Sequence, residues 1–194
     1  MFKISNSMLE KTAYTENQII VDEVPQISFI GRSNVGKSSL MNYVLNHKLA
    51  KISSTPGKTR SINYYLINEK YRFVDLPGYG FARISPKERE HWDRLMKSYF
   101  DVTINLEMVF LLMDIRHPLL KNDLEMIEWI IDYGFPMSII LTKSDKINNS
   151  QVNSTVLSVK KQIQPYGDFM IFPVSSSKRK GVESVMNFLD EVLF

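Results

Sequence analysis

The stretch "GRSNVGKSSL" begins with Gly31 and ends with Leu40. Gly31 and Gly36 bracket Arg32, Ser33, Asn34 and Val35, and Lys37 and Ser38 follow at once, giving the pattern G-x-x-x-x-G-K-S. Glycines let a backbone turn tightly and point its N–H groups at phosphate oxygens. The start of a helix adds partial positive charge. Lys37 then offers a point charge to β- and γ-phosphates, and Ser38 a hydroxyl ligand for Mg²⁺. An ordinary glycine-containing turn between strand and helix is the plain alternative. It leaves the lysine and the hydroxyl without a purpose.

Three further stretches complete the chemistry. In "TKSD", Thr142–Asp145, the Asp145 carboxylate can accept both N1–H and the N2 amino group of guanine, a donor pair that adenine lacks. The aliphatic stem of Lys143 can cover the base. The serine loop after the next strand, "VSSSKRKG", can turn backbone N–H groups of Ser175–Ser177 toward the guanine O6. In "DLPG", Asp75 can hold Mg²⁺ through water, and the Gly78 N–H can serve a γ-phosphate. "SSTPGKTRS", from Ser53 to Ser61, is polar, basic and turn-rich, as expected of a switch segment. Thr55 and Thr59 are both candidates for a second hydroxyl on Mg²⁺, and residue types alone do not choose between them. Gly78 and Gly80 lack the rest of a dinucleotide fingerprint, which argues against a Rossmann site.

These loops need a scaffold, and the hydrophobic pattern supplies one. "ISFI" precedes the glycine loop. "SINYYLI" and "YRFVD" flank the turn "NEK" as a hairpin. "LEMVFLLMD", "MSIILT" and "MIFPV" follow, separated by helical stretches. Leu120, Leu124, Ile127 and Ile131 form one stripe at helical spacing. Val152, Val156, Val159 and Ile163 form a second, and Val182, Val185, Leu189 and Val192 a third. A helix is expected over about Lys37–Asn46. Apolar strands alternating with amphipathic helices predict an α/β fold: a mostly parallel six-stranded sheet with one antiparallel hairpin strand and helices on both faces. Ligands of such sheets sit beyond the carboxyl ends of the strands, so all the loops above should gather at one edge.

Composition bounds the rest. The chain has 194 residues, enough for one domain, and lacks cysteine, which excludes a disulfide framework and thiol-ligated metals. The first residues hold no apolar run of signal-peptide length, and "MVFLLM" is far short of a membrane span. A soluble intracellular protein is expected. Net charge is +3 but uneven. Lys48, Lys51, Lys58 and Arg60 stand in an acid-free stretch, and basic residues dominate from Thr142 to Gly181. Seven acidic residues face Arg116 and Lys121 between Asp101 and Asp132. A basic face of this kind can attract a polyanion such as RNA. His47, His91 and His117 are scattered without metal-ligand spacing, and Trp92 and Trp129 read as packing residues.

The set "GRSNVGKS", "STPGKT", "DLPGYGFA" and "TKSD" resembles the EngB/YsxC family of bacterial ribosome-biogenesis GTPases, a branch of the translation-factor-class, Ras-like P-loop GTPases. The resemblance runs from Pro25 to the C-terminus. It implies an N-terminal extension over residues 1–24 and one GTP-binding domain over 25–194, acting as a monomer. It implies GTP binding, hydrolysis to GDP and phosphate, dependence on Mg²⁺, and a role in assembling the large (50S) ribosomal subunit through rRNA and ribosomal proteins. A cytoplasmic, ribosome-associated location follows, as does a link to cell division and septation. By position, Gly31–Ser38 bind the phosphates, and Ser38, Thr59 and Asp75 serve Mg²⁺. Gly57, Lys58, Thr59, Arg60 and Ser61 form the first switch. Asp75, Leu76, Pro77 and Gly78 lie at the γ-phosphate. Thr142, Lys143, Ser144 and Asp145 read guanine, and Val174, Ser175 and Ser176 complete the base pocket. Arg60-Ser61 depart from the Gln-Thr common in the family.

Lys37, Thr59, Gly78 and Asn34 are the residues expected to carry catalysis. Related GTPases with asparagine at the Asn34 position bind K⁺ there, where an arginine finger's charge would otherwise act. Tyr79 stands where many GTPases carry a water-positioning glutamine, which predicts slow intrinsic turnover. Tyr79, Phe81 and Arg83 either meet a partner or anchor the loop in the core. A nucleotide-dependent binding module with incidental hydrolysis is the competing reading. A P-loop kinase would need an arginine-rich lid that the sequence lacks.

Overall fold

The structure, a computed structural model, describes residues 2–45, 61–80 and 85–193. Among these residues seven strands form one sheet in the order β1-β3-β4-β2-β5-β6-β7. The strands are β1 (Ser7–Ala13), β2 (Gln26–Gly31), β3 (Ile62–Ile67), β4 (Tyr71–Asp75), β5 (Leu106–Asp114), β6 (Met137–Thr142) and β7 (Ile171–Pro173). Strands β4, β2, β5, β6 and β7 run parallel, and β3 pairs antiparallel with β4. The hairpin turn uses left-handed backbone at Asn68 and Glu69, which matches the twist of the strands it joins.

The sheet has one strand more than the six expected. β1 comes from the N-terminal extension and pairs antiparallel with β3, with an irregularity between Leu9 and Lys11. Arg72 of β4 fastens it. Its guanidinium is buried and donates to both carboxylate oxygens of Glu10 (2.8 and 3.1 Å) and of Asp22 (2.8 and 2.9 Å). Fork-to-fork pairing of this kind fixes geometry as well as charge.

The helices are α1 (Lys37–Val44), α2 (Pro86–Val102), α3 (Lys121–Asp132), α4 (Asn149–Ile163) and α5 (Val182–Leu193). The expected continuation of α1 to Asn46 passes beyond the described residues. Sequence sets several of the helix starts. Ser85 accepts the Glu88 N–H ahead of Pro86, and Asn148 accepts the Gln151 N–H. Side-chain alternation in β5 builds two cores. Val109, Leu111 and Met113 face the α2, α3 and α4 side with Tyr99, Ile127 and Val159. Met108, Phe110 and Leu112 face α1 and α5 with Leu40, Val185 and Leu189. The α4 and α5 stripes pack as expected. In the α3 stripe Ile127 is buried and Leu124 and Ile131 pack against the same core, but Leu120 is extended backbone ahead of the helix and is 47% exposed; Asp123, Met126 and Ile130 are buried beside Ile127.

Candidate nucleotide-binding site

Five parallel strand ends come to one edge of the sheet. Gly31 closes β2, Asp75 closes β4, Asp114 closes β5, Thr142 closes β6, and Val174 follows β7. The loop after β2 is tightly seated. A Cβ on Gly31 would lie 2.8 Å from the Leu112 carbonyl oxygen, so no side chain fits there. Gly36 is left-handed (φ 104°) as α1 begins, and Asn34 is left-handed too (φ 60°). Lys37 is buried, and its Nζ donates to Asp75 Oδ1. Ser38 follows in the first turn of α1, half-buried. The first two strand ends are therefore joined through the lysine and carboxylate that the motif spacing singled out.

The D-x-x-G loop lies against the same turn. Leu76 and Pro77 are buried, and the Leu76 N–H donates to the Phe29 carbonyl at 3.0 Å. A Cβ on Gly78 would stand 2.9 Å from the Gly31 carbonyl oxygen and 3.5 Å from the Ser33 nitrogen. Glycine at 78 is thus required by close approach of two backbones. Ser33 donates to the Tyr79 carbonyl at 3.3 Å. Tyr79 is buried in the core, its hydroxyl bonded to Asp123 at 2.8 Å. Of the two roles open to Tyr79, the structure has the anchor. Burial, then the Asp123 charge beside it, pushes the phenol well above its ordinary range.

The third group is as closely built. Thr142 Oγ1 donates to the Val35 carbonyl at 2.6 Å, tying β6 to the glycine loop. Lys143 is left-handed (φ 59°), and its Nζ donates to the Asn34 carbonyl at 2.8 Å. The Ser144 N–H bonds the Val174 carbonyl at 3.1 Å. Asp145 accepts the Ser175 hydroxyl at 2.6 Å, and that bond, with Lys146 nearby, holds its carboxyl below the usual range. The Ser175 N–H is committed to the Lys180 carbonyl at 2.9 Å, which leaves the expected O6 contact to the amides of Ser176 and Ser177. Gly57, Lys58, Thr59 and Arg60 lie outside the described residues, as do Phe81 and Arg83. Ser61 is buried at the entrance to β3.

Two carboxylates belong here that motif reasoning passed over. Asp114 takes Lys143 Nζ at 2.9 Å and Arg116 Nη2 at 2.7 Å. Burial alone would raise it, but those cations hold its carboxyl well below the usual range. Its place at the end of an apolar strand, on the ligand edge, is the sequence signal that could have found it. Asp123, three residues after the α3 N-cap, reads in sequence only as a cap. Basic residues divide by location. Lys143, Lys146 and Lys178–Lys180 are at the site edge, while Lys160 and Lys161 stand at the far end of α4, Lys160 paired with Asp168.

A parallel sheet in this order, with the glycine loop between its central strand and the first helix, is that of a P-loop GTPase domain. Residues 26–143 match the family described as "50S ribosome-binding GTPase". The chain is 47% identical over 191 residues to "Probable GTP-binding protein EngB" of Petrotoga mobilis, covering 98% of this chain and 97% of that one. It therefore belongs to the EngB family of GTP-binding proteins. Solved structures agree in fold. A crystal structure of a protein of the same description superposes with a TM-score of 0.68 at 24% identity, over 86% of this chain and 97% of that one. Era in complex with MgGDPNP and nucleotides 1506–1542 of 16S ribosomal RNA superposes with a TM-score of 0.70 at 21% identity, over 86% of this chain and 56% of the other.

Proposed function

We propose that the chain binds GTP across this sheet edge, hydrolyses it slowly to GDP and phosphate, and uses the cycle as a switch in assembly of the large ribosomal subunit. The observation that carries the reading is the bond from Lys143 to the Asn34 carbonyl. It joins the base-reading loop to the phosphate loop, as a single ligand spanning both requires.

Gly31–Ser38 hold the phosphates, with Arg32, Ser33, Val35 and Gly36 contributing backbone and Lys37 its charge. Asp145 selects guanine, supported by Thr142, Lys143, Ser144, Val174, Ser175 and Ser176. Among the described residues no cluster of three or more His, Asp or Glu gathers. Mg²⁺ commonly takes one or two carboxylates and completes its shell with phosphates and water. Ser38 and Asp75, joined through Lys37, fit that partial set, and Thr59 is the proposed third. When bound, the ion neutralises charge on the β- and γ-phosphates. Leu76 and Pro77 seat Gly78 beside the phosphate loop, and Gly57, Lys58, Arg60 and Ser61 belong to the proposed first switch. Catalysis rests on Lys37, Thr59, Gly78 and Asn34. With Tyr79 turned into the core, no side chain among the described residues takes the glutamine's place, and turnover of about 10⁻⁴ to 10⁻² s⁻¹ is expected. K⁺ at Asn34 is the proposed accelerator: KCl should exceed NaCl in wild type and not in Asn34→Ala. Equal rates in all four assays would remove it.

The family description supports the 50S particle as partner, and Era, part of which shares this fold, is seen in complex with 16S ribosomal RNA. Among the described residues no helix is long and apolar enough to cross a membrane. The proposed setting is the cytoplasm, on ribosomal precursors, with effects on cell division following from failed assembly. Retention of 50S precursors on immobilised protein with GTP, GDP or a non-hydrolysable analogue tests the switch. Binding is expected with the triphosphate forms and not with Lys37→Ala. Equal retention in every state would refute it.

A further inference from the structure

Asp123 lies outside every sequence motif, yet its side chain is fully buried. Oδ2 accepts the Leu120 N–H at 2.9 Å, capping α3. Oδ1 accepts the Tyr79 hydroxyl at 2.8 Å and faces Arg32 Nε at 3.0 Å. Arg32 also donates through Nη2 to the His117 carbonyl at 2.6 Å. Arg32 and Tyr79 form a parallel backbone bridge. One carboxylate thus ties the second residue of the phosphate loop, the residue after D-x-x-G, and the start of α3. From α2, Trp92 Nε1 donates to the Pro77 carbonyl at 3.3 Å. The D-x-x-G loop is therefore gripped from both helices.

We infer that Asp123 is a positioning residue whose latch on Arg32 and Tyr79 favours the triphosphate over the diphosphate. This rests on the reading that Gly78 serves the γ-phosphate. A diphosphate needs only the phosphate loop, whereas a third phosphate also draws on Gly78. A D-x-x-G loop already held through Tyr79 loses less freedom on binding, and that part of the gain reaches the triphosphate alone. The coupling is reciprocal, so the triphosphate tightens the latch. Beyond the latch, between α2 and α3, lies a cavity of about 640 Å³ bordered by Tyr79, Gly80, Asn122 and both tryptophans of the chain, Trp92 and Trp129. Tryptophan emission therefore reports on the loop.

The test uses the full chain, with fluorescent GDP and a fluorescent non-hydrolysable GTP analogue, in wild type, Tyr79→Phe and Asp123→Asn. In Tyr79→Phe, analogue affinity is expected to fall by about tenfold, as for loss of a hydrogen bond to a charged group, while GDP affinity holds within about twofold; Asp123→Asn, which also frees Arg32, should lose at least as much analogue affinity. The difference in tryptophan emission between the two nucleotide forms should shrink in parallel. Tyr79→Phe deletes one oxygen and decides the matter if Asp123→Asn does not fold. An unchanged ratio of the two affinities, or equal loss of both nucleotides, in Tyr79→Phe would overturn the latch. Wild type binding neither nucleotide would overturn the site reading itself, and the latch with it.

Discussion

Lys143 Nζ sits 2.8 Å from the Asn34 carbonyl oxygen and 2.9 Å from Asp114 Oδ2. A lysine from the loop after β6 is thus pinned between the glycine loop and the end of a central strand, in left-handed backbone that a lysine seldom adopts. On the proposed reading, the pinning gives Asp114 a hold on a ligand that it need not touch.

Replacing Asp114 with alanine removes the anion from between two cations. Among the described residues Lys143 keeps the Asn34 carbonyl, and Arg116 loses its carboxylate. Affinity for GDP and GTP should fall together by about tenfold or more, the scale of a lost hydrogen bond to a charged group. Titration with a fluorescent nucleotide measures it. Unchanged affinity for both would mean that Lys143 holds its place without Asp114.

Arg72 is buried while Glu10 and Asp22 remain partly exposed. Arg72→Met leaves two carboxylates facing each other without their cation. A fully buried pair broken this way costs about 3–5 kcal/mol, and solvent at the two acids reduces that to about 2–3 kcal/mol. Urea unfolding of the variant should show a lower midpoint with little change in slope. An unchanged midpoint would deny β1 its fastening.

Acid should destabilise the fold through a definable set of groups. Asp22, held by Arg72, Asp145, held by Ser175, and Asp114, held by Arg116 and Lys143 against its burial, all have lowered folded-state pKa values. Each binds protons more weakly folded than unfolded, so its contribution is present above the ordinary carboxylate pKa of about 3.9 and is lost as pH falls below it. Asp123 has the opposite sign. Burial raises it, so its contribution is greatest at low pH and declines as pH rises through its folded value. Three groups thus act in one direction and one in the other. Stability should drop steadily on acidification from about pH 5, and less steeply in Asp114→Asn. Equal slopes in the two proteins would contradict the assignment.

How much of this the sequence carried depends on range. The glycine loop, the hairpin and the strand ends were legible because each is a local pattern. A glycine, a left-handed turn or an apolar run declares itself within ten residues. The edge strand β1 was not, because "SMLEKTA" leaves Met8 and Leu9 exposed and acquires its role only through β3 and Arg72, far along the chain. Asp123 was invisible for the same reason, since Tyr79 lies 44 residues away. Leu120 alone of the α3 stripe misled, because it has the right spacing but stands before the helix, where the period of a helix no longer governs direction.

The central claim is that one nucleotide spans Gly31–Ser38 and Asp145, with the carboxylate choosing the purine. Asp145→Asn exchanges an acceptor for an amide that can donate to the C2 carbonyl of xanthine. Competition binding of GTP against XTP in both proteins is the direct measurement. Wild type should prefer GTP, and Asp145→Asn should reverse the order by weakening GTP about a hundredfold, as for losing a paired contact to a charged group. An asparagine variant that still prefers GTP would contradict the account.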